Sequence, residues 1–272
     1  MSSINIDQMP EAWSKFSSNY EQTVEILTSQ YAQDVLRLLD IRPGEKVIDV
    51  AAGLGAFSLL AAKAGAEVLS IDFSPGMISK LRERIEENGL SNMTAEVMDG
   101  QNLEVPDRSF DISVSVLGVI FFPDIKKGLS EMKRVLRPGG RSTVVCFSEL
   151  GKFGMMVEME KAIRSVIPDF RPPEESIANR MVGADSLKNA MEGAGYKNVK
   201  VRLTTHSFKL ESPQTFWDNM AASAPPIAGL IAKVGPEKTA QIGEKFVESL
   251  MNKSNGGNEY MSTEVCIGIG KA

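Results

Sequence analysis

The 272-residue chain has two cysteines, one histidine and no cluster of either. Cys146 and Cys266 each sit in an apolar, β-branched run, which reads as two buried core thiols rather than a disulfide. A structural zinc site needs several closely spaced thiolate or imidazole ligands, so no metal is expected. Polybasic runs are lacking too: 30 basic residues face 35 acidic ones, for a net charge of −5. Nucleic acid is therefore not an expected partner, because backbone binding needs a concentrated positive surface. No stretch is long and apolar enough to span a bilayer. Residues 1–5 carry no basic flank followed by an apolar core, so a secretory signal is not expected and the protein is placed in the cytoplasm.

What is present is ordinary for a globular protein, with 43% hydrophobic and 24% charged residues. The length suits one large α/β domain with a sizeable core. Strand patterns at 46–50, 67–71, 94–98, 111–116 and 141–147 alternate with helix patterns at 57–64, 75–88 and 126–136. This alternation predicts a doubly wound, mostly parallel sheet with right-handed crossovers and helices on both faces.

A helical leader is expected over 11–40, with Trp13, Phe16, Tyr20, Val24 and Leu27 on one face. Past residue 147 the pattern loosens. A Met-rich helix (Met155, Met156, Met159) leads to the Pro-rich stretch 167–173, a short helix at 186–194 and a strand at 199–208. Residues 212–251 read as helical, broken at Pro225-Pro226 and Gly235-Pro236, and 265–269 as a last strand. The expected organisation is a single domain over 1–272. It divides into a leader (1–40), a ligand-binding core (41–148) and two insertions (149–185 and 209–260) over the ligand edge of the sheet.

The densest signal is Val47-Ile48-Asp49-Val50-Ala51-Ala52-Gly53-Leu54-Gly55, a buried strand running into a glycine turn and a helix start. Glycines at 53 and 55 let backbone approach a ligand where a Cβ would clash. The helix that follows offers free N–H groups and a partial positive charge to an anion. Asp72, ending the second strand, is placed to accept from both hydroxyls of a ribose. These features suit NAD as well as S-adenosylmethionine.

Later residues separate the two. Met98-Asp99-Gly100-Gln101 follows the third strand, and an acid there can accept from an adenine amino group. Ser109-Phe110-Asp111 leads through the fourth strand to Leu117-Gly118-Val119-Ile120-Phe121-Phe122-Pro123-Asp124. Arg134-Val135-Leu136-Arg137-Pro138-Gly139-Gly140 then joins a helix to the fifth strand. With these motifs at these spacings the chain resembles class I S-adenosylmethionine-dependent methyltransferases, most of all the branch of ubiquinone- and menaquinone-biosynthesis C-methyltransferases. The resemblance runs from about Trp13 to Lys271 and is densest from Val47 to Arg141. One departure is Ala51, where the loop usually has its first glycine; this branch commonly carries alanine there.

The resemblance implies a seven-stranded sheet with the last strand antiparallel, S-adenosylmethionine as cofactor and S-adenosylhomocysteine as product. It implies roles by position. Asp49 and the loop through Ala51, Gly53 and Gly55 hold the methionine end, with Tyr20 of the leader nearby. Asp72 holds the ribose. Phe73 and Met77 flank the adenine, and Asp99, Gly100 and Gln101 meet its edge. The Leu117 carbonyl receives the methionine ammonium. A dehydrogenase shares the opening motif and often carries a Tyr-x-x-x-Lys pair. Tyr196 and Lys200 match that string, but it straddles a Gly195 turn rather than one helix face.

Absences then narrow the acceptor. After the fourth strand there is no Asn/Asp-Pro-Pro-Tyr/Phe string of the enzymes that methylate amino groups of nucleic acids and glutamine. Nor are there the carboxylates of metal-dependent catechol methylation, and two core thiols are too few for arsenite. A small, apolar or phenolic acceptor remains, methylated without metal by in-line displacement. Expected pocket residues are Trp13, Phe16, Phe121, Phe153, Met156 and Trp217, the alternative for each being ordinary core. His206 is the only group that titrates near neutrality by type, and with Tyr20 it is a candidate catalytic residue. Glu149 is a further candidate base. Two other functions stay open: a protein methyltransferase, or a non-methylating cofactor-binding protein on the same fold, such as a pericyclic catalyst or regulatory partner. The apolar segment with Ile227, Leu230, Ile231 and Val234 reads as a lid or as a homodimer contact.

Overall fold

The computed structural model describes residues 6–171, 182–210, 212–253 and 260–272. Seven strands form one sheet: β1 (Lys46–Val50), β2 (Glu67–Asp72), β3 (Met93–Val97), β4 (Phe110–Val116), β5 (Leu136–Phe147), β6 (Lys197–Lys209) and β7 (Tyr260–Lys271). Their order is β3-β2-β1-β4-β5-β7-β6. Strands β1 to β5 pair in parallel, and β7 runs antiparallel to both β5 and β6. The chain winds outward in one direction through β2 and β3, then in the other from β4. Such a reversal opens a crevice at the carboxyl ends of β1 and β4.

Strand β1 forms where the sequence is apolar on both faces: Val47, Ile48 and Val50 are fully buried, as a central parallel strand requires. Helix α3 (Ser58–Lys63) follows it and α4 (Pro75–Glu87) follows β2. Ser74 caps α4, its hydroxyl accepting from the Met77 N–H, with Pro75 at the first helical position. Asp124 caps α5 (Ile125–Arg134) in the same way through the Lys127 N–H. Cys146 and Cys266 face each other in register across β5 and β7, both buried and both free thiols.

The leader departs from the single helix expected over 11–40. It forms α1 (Pro10–Phe16) and α2 (Glu25–Leu39), joined by turns over 17–24. Hydroxyl groups compete with the helix there: the Ser17 hydroxyl donates to the Ser14 carbonyl and the Thr23 hydroxyl to the Asn19 carbonyl. The Tyr20 carbonyl accepts from the Thr23, Val24 and Glu25 N–H groups and so starts α2. The bend turns Tyr20 toward the crevice.

The remaining helices are α6 (Gly154–Val166), α7 (Ala184–Gly193), α8 (Pro213–Ser223), α9 (Pro225–Val234) and α10 (Pro236–Lys253). Helix α10 packs on α6, α8 and α9, while α9 packs on α1 and on the short turn Ile6–Gln8. Pro172-Pro173 and the rest of 172–181 in the first insertion, with residues 211 and 254–259 of the second, lie outside the described residues. Among the described residues no helix is long and apolar enough to cross a membrane.

Candidate active site

A cavity of about 570 Å³ lies at the carboxyl ends of β1, β2 and β4, within the usual size range of small-molecule sites. Its floor is the loop after β1. Ala51, Gly53 and Gly55 all have positive φ, at 59°, 56° and 81°. Leu117, just past β4, has φ 57°. A left-handed residue with a side chain costs about 1–2 kcal/mol, so strand ends β1 and β4 both carry backbone strain where they meet the cavity. Gly118 makes this possible, since a Cβ there would stand 2.5 Å from the Ala51 Cβ.

Gly53 lines the cavity and leaves it open, the Tyr20 ring standing 3.8 Å from where its Cβ would be. Gly55 behaves otherwise. It does not line the cavity, and a Cβ on it would meet the Leu81 side chain at 2.4 Å. Its bareness lets α4 close onto the loop rather than admitting a ligand.

Asp72 ties this loop to the next helix. Its Oδ2 accepts from the Gly53 N–H and its Oδ1 from the Ser74 N–H, each at 2.9 Å. Burial pushes the carboxyl up to about 6, against the pull of those backbone bonds. Asp49 faces a second, small space beside Tyr20, Thr28, Ala51 and Phe57, with Tyr20, Ala51 and Val116 lining both it and the cavity. The Ser58 hydroxyl donates to its Oδ2 at 2.5 Å. Burial pushes Asp49 up to about 7, with the nearby Asp72 charge adding to the rise.

Tyr20 lines both spaces. Burial first, then the negative neighbours Glu25, Asp72 and Asp49, hold its phenol far above the ordinary value of 10.0, while a hydrogen bond with Thr28 opposes the rise. A phenol so protected keeps its proton at neutral pH. A protonated phenol has a hydrogen to donate and no proton vacancy to fill as a base at that pH.

On the opposite wall Met77 is buried and Phe73 half-buried. Asp99 stands exposed at the rim, its Oδ1 accepting from the Gln101 N–H at 2.9 Å. The Gln101 side-chain oxygen accepts from the Asp124 N–H at 2.9 Å, which fixes the rim to the start of α5. Phe122 completes this wall. A Cβ on Gly100 would stand 2.4 Å from its ring, and one on Gly128 the same distance from it.

At the far end Trp13 and Phe121 meet edge to face at 5.0 Å between ring centres. The Trp13 indole N–H donates to the Asp7 carbonyl at 2.7 Å, which fixes the ring. Gln8 and Pro10 join them.

The cavity thus collects Tyr20, Ala51, Gly53, Asp72, Phe73, Met77, Asp99, Gly100, Gln101, Leu117, Trp13 and Phe121 of the expected residues. Asp49 lines the small space beside it. Four expected pocket residues lie elsewhere, in ordinary core or on partly buried surface. Phe16 is buried behind Trp13 and Tyr20. Phe153 stacks on Phe147 at 4.4 Å. Trp217 packs against Phe246 and over Gly243. Met156 lies partly buried against the core, on α6.

His206 is also elsewhere. Strand β6 does run with β1, but β5 and β7 stand between it and β4. His206 Nε2 lies 2.5 Å from Asp34 Oδ2, and its ring is 5.2 Å from that of Tyr31. Glu149 is exposed and does not line the cavity. Tyr196 is buried with its hydroxyl donating to the Leu129 carbonyl, while Lys200 is exposed on β6, so the Tyr-x-x-x-Lys string forms no dehydrogenase pair.

Sequence reasoning missed Phe122, Gly118, Gln8 and Pro10. The Phe121-Phe122-Pro123 run carries a signal for Phe122, since both adjacent rings line the cavity.

Comparisons with known proteins agree with this geometry. A methyltransferase-domain family profile matches residues 47–140. The demethylmenaquinone methyltransferase of Corynebacterium glutamicum is 38% identical over 136 residues, covering 48% of this chain and 55% of that protein. Aklanonic acid methyltransferase DauC of Streptomyces sp. is 32% identical over 213 residues, covering 71% of this chain and 93% of the relative. Among solved structures, the [4+2]-cyclase SpnF shares the fold with a TM-score of 0.55 at 18% identity, covering 89% of this chain and 80% of that one. The chain belongs to the class I S-adenosylmethionine-dependent methyltransferases. S-adenosylmethionine is its cofactor.

The residues present fit that group. The bare Gly53 turn leaves room for it, while the buried carboxylate Asp72 and the rim acid Asp99 in the cavity, and Asp49 in the small space behind Tyr20 and Ala51, offer acceptors for hydroxyl, amino and ammonium groups.

Proposed function

We propose that this enzyme methylates a small, apolar or phenolic metabolite without a metal, the acceptor resting at the Trp13–Phe121 end of the cavity. The observation that carries this reading is the aromatic corner itself, continuous with the glycine loop and fixed by the indole bond to Asp7. When bound, S-adenosylmethionine supplies a methyl group already activated by its sulfonium. What remains for the protein is alignment and exclusion of water, and holding two partners in line is worth on the order of 7–11 kcal/mol of barrier.

In this reading Asp72 accepts from the ribose hydroxyls while keeping the loop in place. Asp49, the loop around Ala51 and Gly53, and the Leu117 carbonyl hold the methionine end. Phe73 and Met77 sandwich the adenine, and Asp99, Gly100 and Gln101 meet its edge. Tyr20 donates a hydrogen bond from its protected phenol and removes no proton. Ile227 and Leu230 are buried within the chain, and α9 packs on the Ile6–Gln8 turn beside Trp13. That packing supports the lid reading of this segment over a homodimer contact.

The test is transfer of a labelled methyl group to a panel of phenols and quinols, followed by the Trp13→Ala variant. Trp13→Ala is expected to raise KM for the accepted compound about tenfold or more, as loss of an aromatic contact should, while cofactor affinity stays within about twofold. Label found only in protein, or an unchanged KM, would overturn the proposed acceptor site.

A further inference from the structure

Asp49 is almost wholly buried, yet among the described residues it forms no ion pair. Two serines approach it instead. Ser70 is its register partner on the neighbouring parallel strand, and Ser58 opens α3. Both are fully buried. The Ser70 hydroxyl donates to the Ser58 oxygen at 2.7 Å, and the Ser58 hydroxyl donates onward to Asp49 Oδ2. The chain has one direction, and it delivers a proton donor to the carboxylate.

An apolar layer gains nothing from three buried polar groups unless something else needs the charge they shelter. A hydrogen bond given to a carboxylate favours its charged form. The geometry points to Ser58 and Ser70 as a positioning pair that holds Asp49 as an aimed, ionised carboxylate for the cationic methionine end of the cofactor. The inference rests on the cofactor placement proposed above. Ser58 acts on Asp49 directly and Ser70 acts through Ser58, and neither is a catalytic residue.

The consequence is a specific pH signature. The other titratable groups facing Asp49 are Asp72, from the end of β2, and Tyr20, from the leader. Neither is bonded to the serines. Removing the Ser58 hydroxyl takes away one of the two hydrogen bonds that oppose burial, the Ser58 backbone bond remaining, so Asp49 keeps its proton to higher pH. Below the point where Asp49 ionises, the Ser58→Ala variant should bind more weakly. Above it, the two proteins should converge.

The experiment is calorimetric titration of S-adenosylhomocysteine into wild type, Ser58→Ala and Ser70→Ala from pH 6 to pH 9, read as the ratio of variant to wild-type Kd. The ratio removes the ligand's own titration. For Ser58→Ala it is expected to be about tenfold at pH 6 and to close to within about twofold at pH 9, in keeping with the worth of a hydrogen bond to a charged group. Ser70→Ala should show the same sign with a smaller span, and it carries the test if Ser58→Ala does not fold. A ratio near one at pH 6, or one that is constant across the range, would overturn the pairing. A wild type that binds no S-adenosylhomocysteine would instead overturn the cofactor placement.

Discussion

Asp49→Asn is expected to unfold at a higher temperature than the wild type at pH 8 and to lose its affinity for S-adenosylmethionine. Burial raises the Asp49 carboxyl from an ordinary 3.8 to about 7 in the folded chain. Between about pH 4 and pH 7 the folded state therefore holds a proton that the unfolded state has released. Stability from this group is fully present below about pH 4 and is lost as the pH rises through 7. At about 1.4 kcal/mol per pH unit, the buried charge costs up to about 4 kcal/mol by pH 8. Asparagine carries no charge and can still accept from Ser58, so the variant is expected to gain roughly 2–4 kcal/mol there and less at pH 5. Thermal unfolding at the two pH values reads this directly. The gap between variant and wild type should be wide at pH 8 and narrow at pH 5; a gap of equal size at both would mean the carboxylate is not costly. A chain that retains a destabilising acid at this position is placing function above stability.

Asp72→Ala is expected to weaken S-adenosylhomocysteine binding about a hundredfold or more while changing stability little. The carboxylate makes two backbone bonds, to the Gly53 and Ser74 N–H groups, so its loss frees both the glycine loop and the start of α4. It also removes the proposed ribose acceptor, and charge-assisted bonds are the strong ones. Against this, burial pushes Asp72 up to about 6, so its charge is itself costly near neutrality and its removal offsets part of the lost bonding. Asp72→Asn, which keeps one acceptor oxygen, should lose about tenfold. Equilibrium binding at pH 7 checks both. Wild-type affinity in Asp72→Ala would place the ribose elsewhere.

Much of this was legible along the chain because the relevant physics is local. Strand β1 needed only Val47, Ile48 and Val50, apolar residues that fall on both faces of a short run. The acids at 49, 72 and 99 stood at strand ends, and strand ends converge in a parallel sheet. What escaped was decided by tertiary arrangement. The apolar spacing of the leader continues through 17–24, so periodicity hid the bend that the hydroxyl groups of Ser17 and Thr23 stabilise. His206 does sit near the end of a strand that runs with β1, but strand order is not written in local pattern, and two strands separate it from β4. Phe153 and Trp217 looked like pocket aromatics for the same reason that they are good core residues. The left-handed turns at Ala51 and Leu117 have no sequence signature, since neither residue favours φ near 60°. The sequence does not say what a bare glycine makes room for: a Cβ on Gly55 would meet the Leu81 side chain.

The most direct test of the account is calorimetric titration of the wild-type protein with S-adenosylmethionine, S-adenosylhomocysteine and NAD in turn. Binding of both sulfur nucleotides with micromolar affinity and no heat from NAD is the predicted result. Binding of NAD, or of none of the three, would contradict the assignment of the β1–β4 crevice as a methyl-donor site.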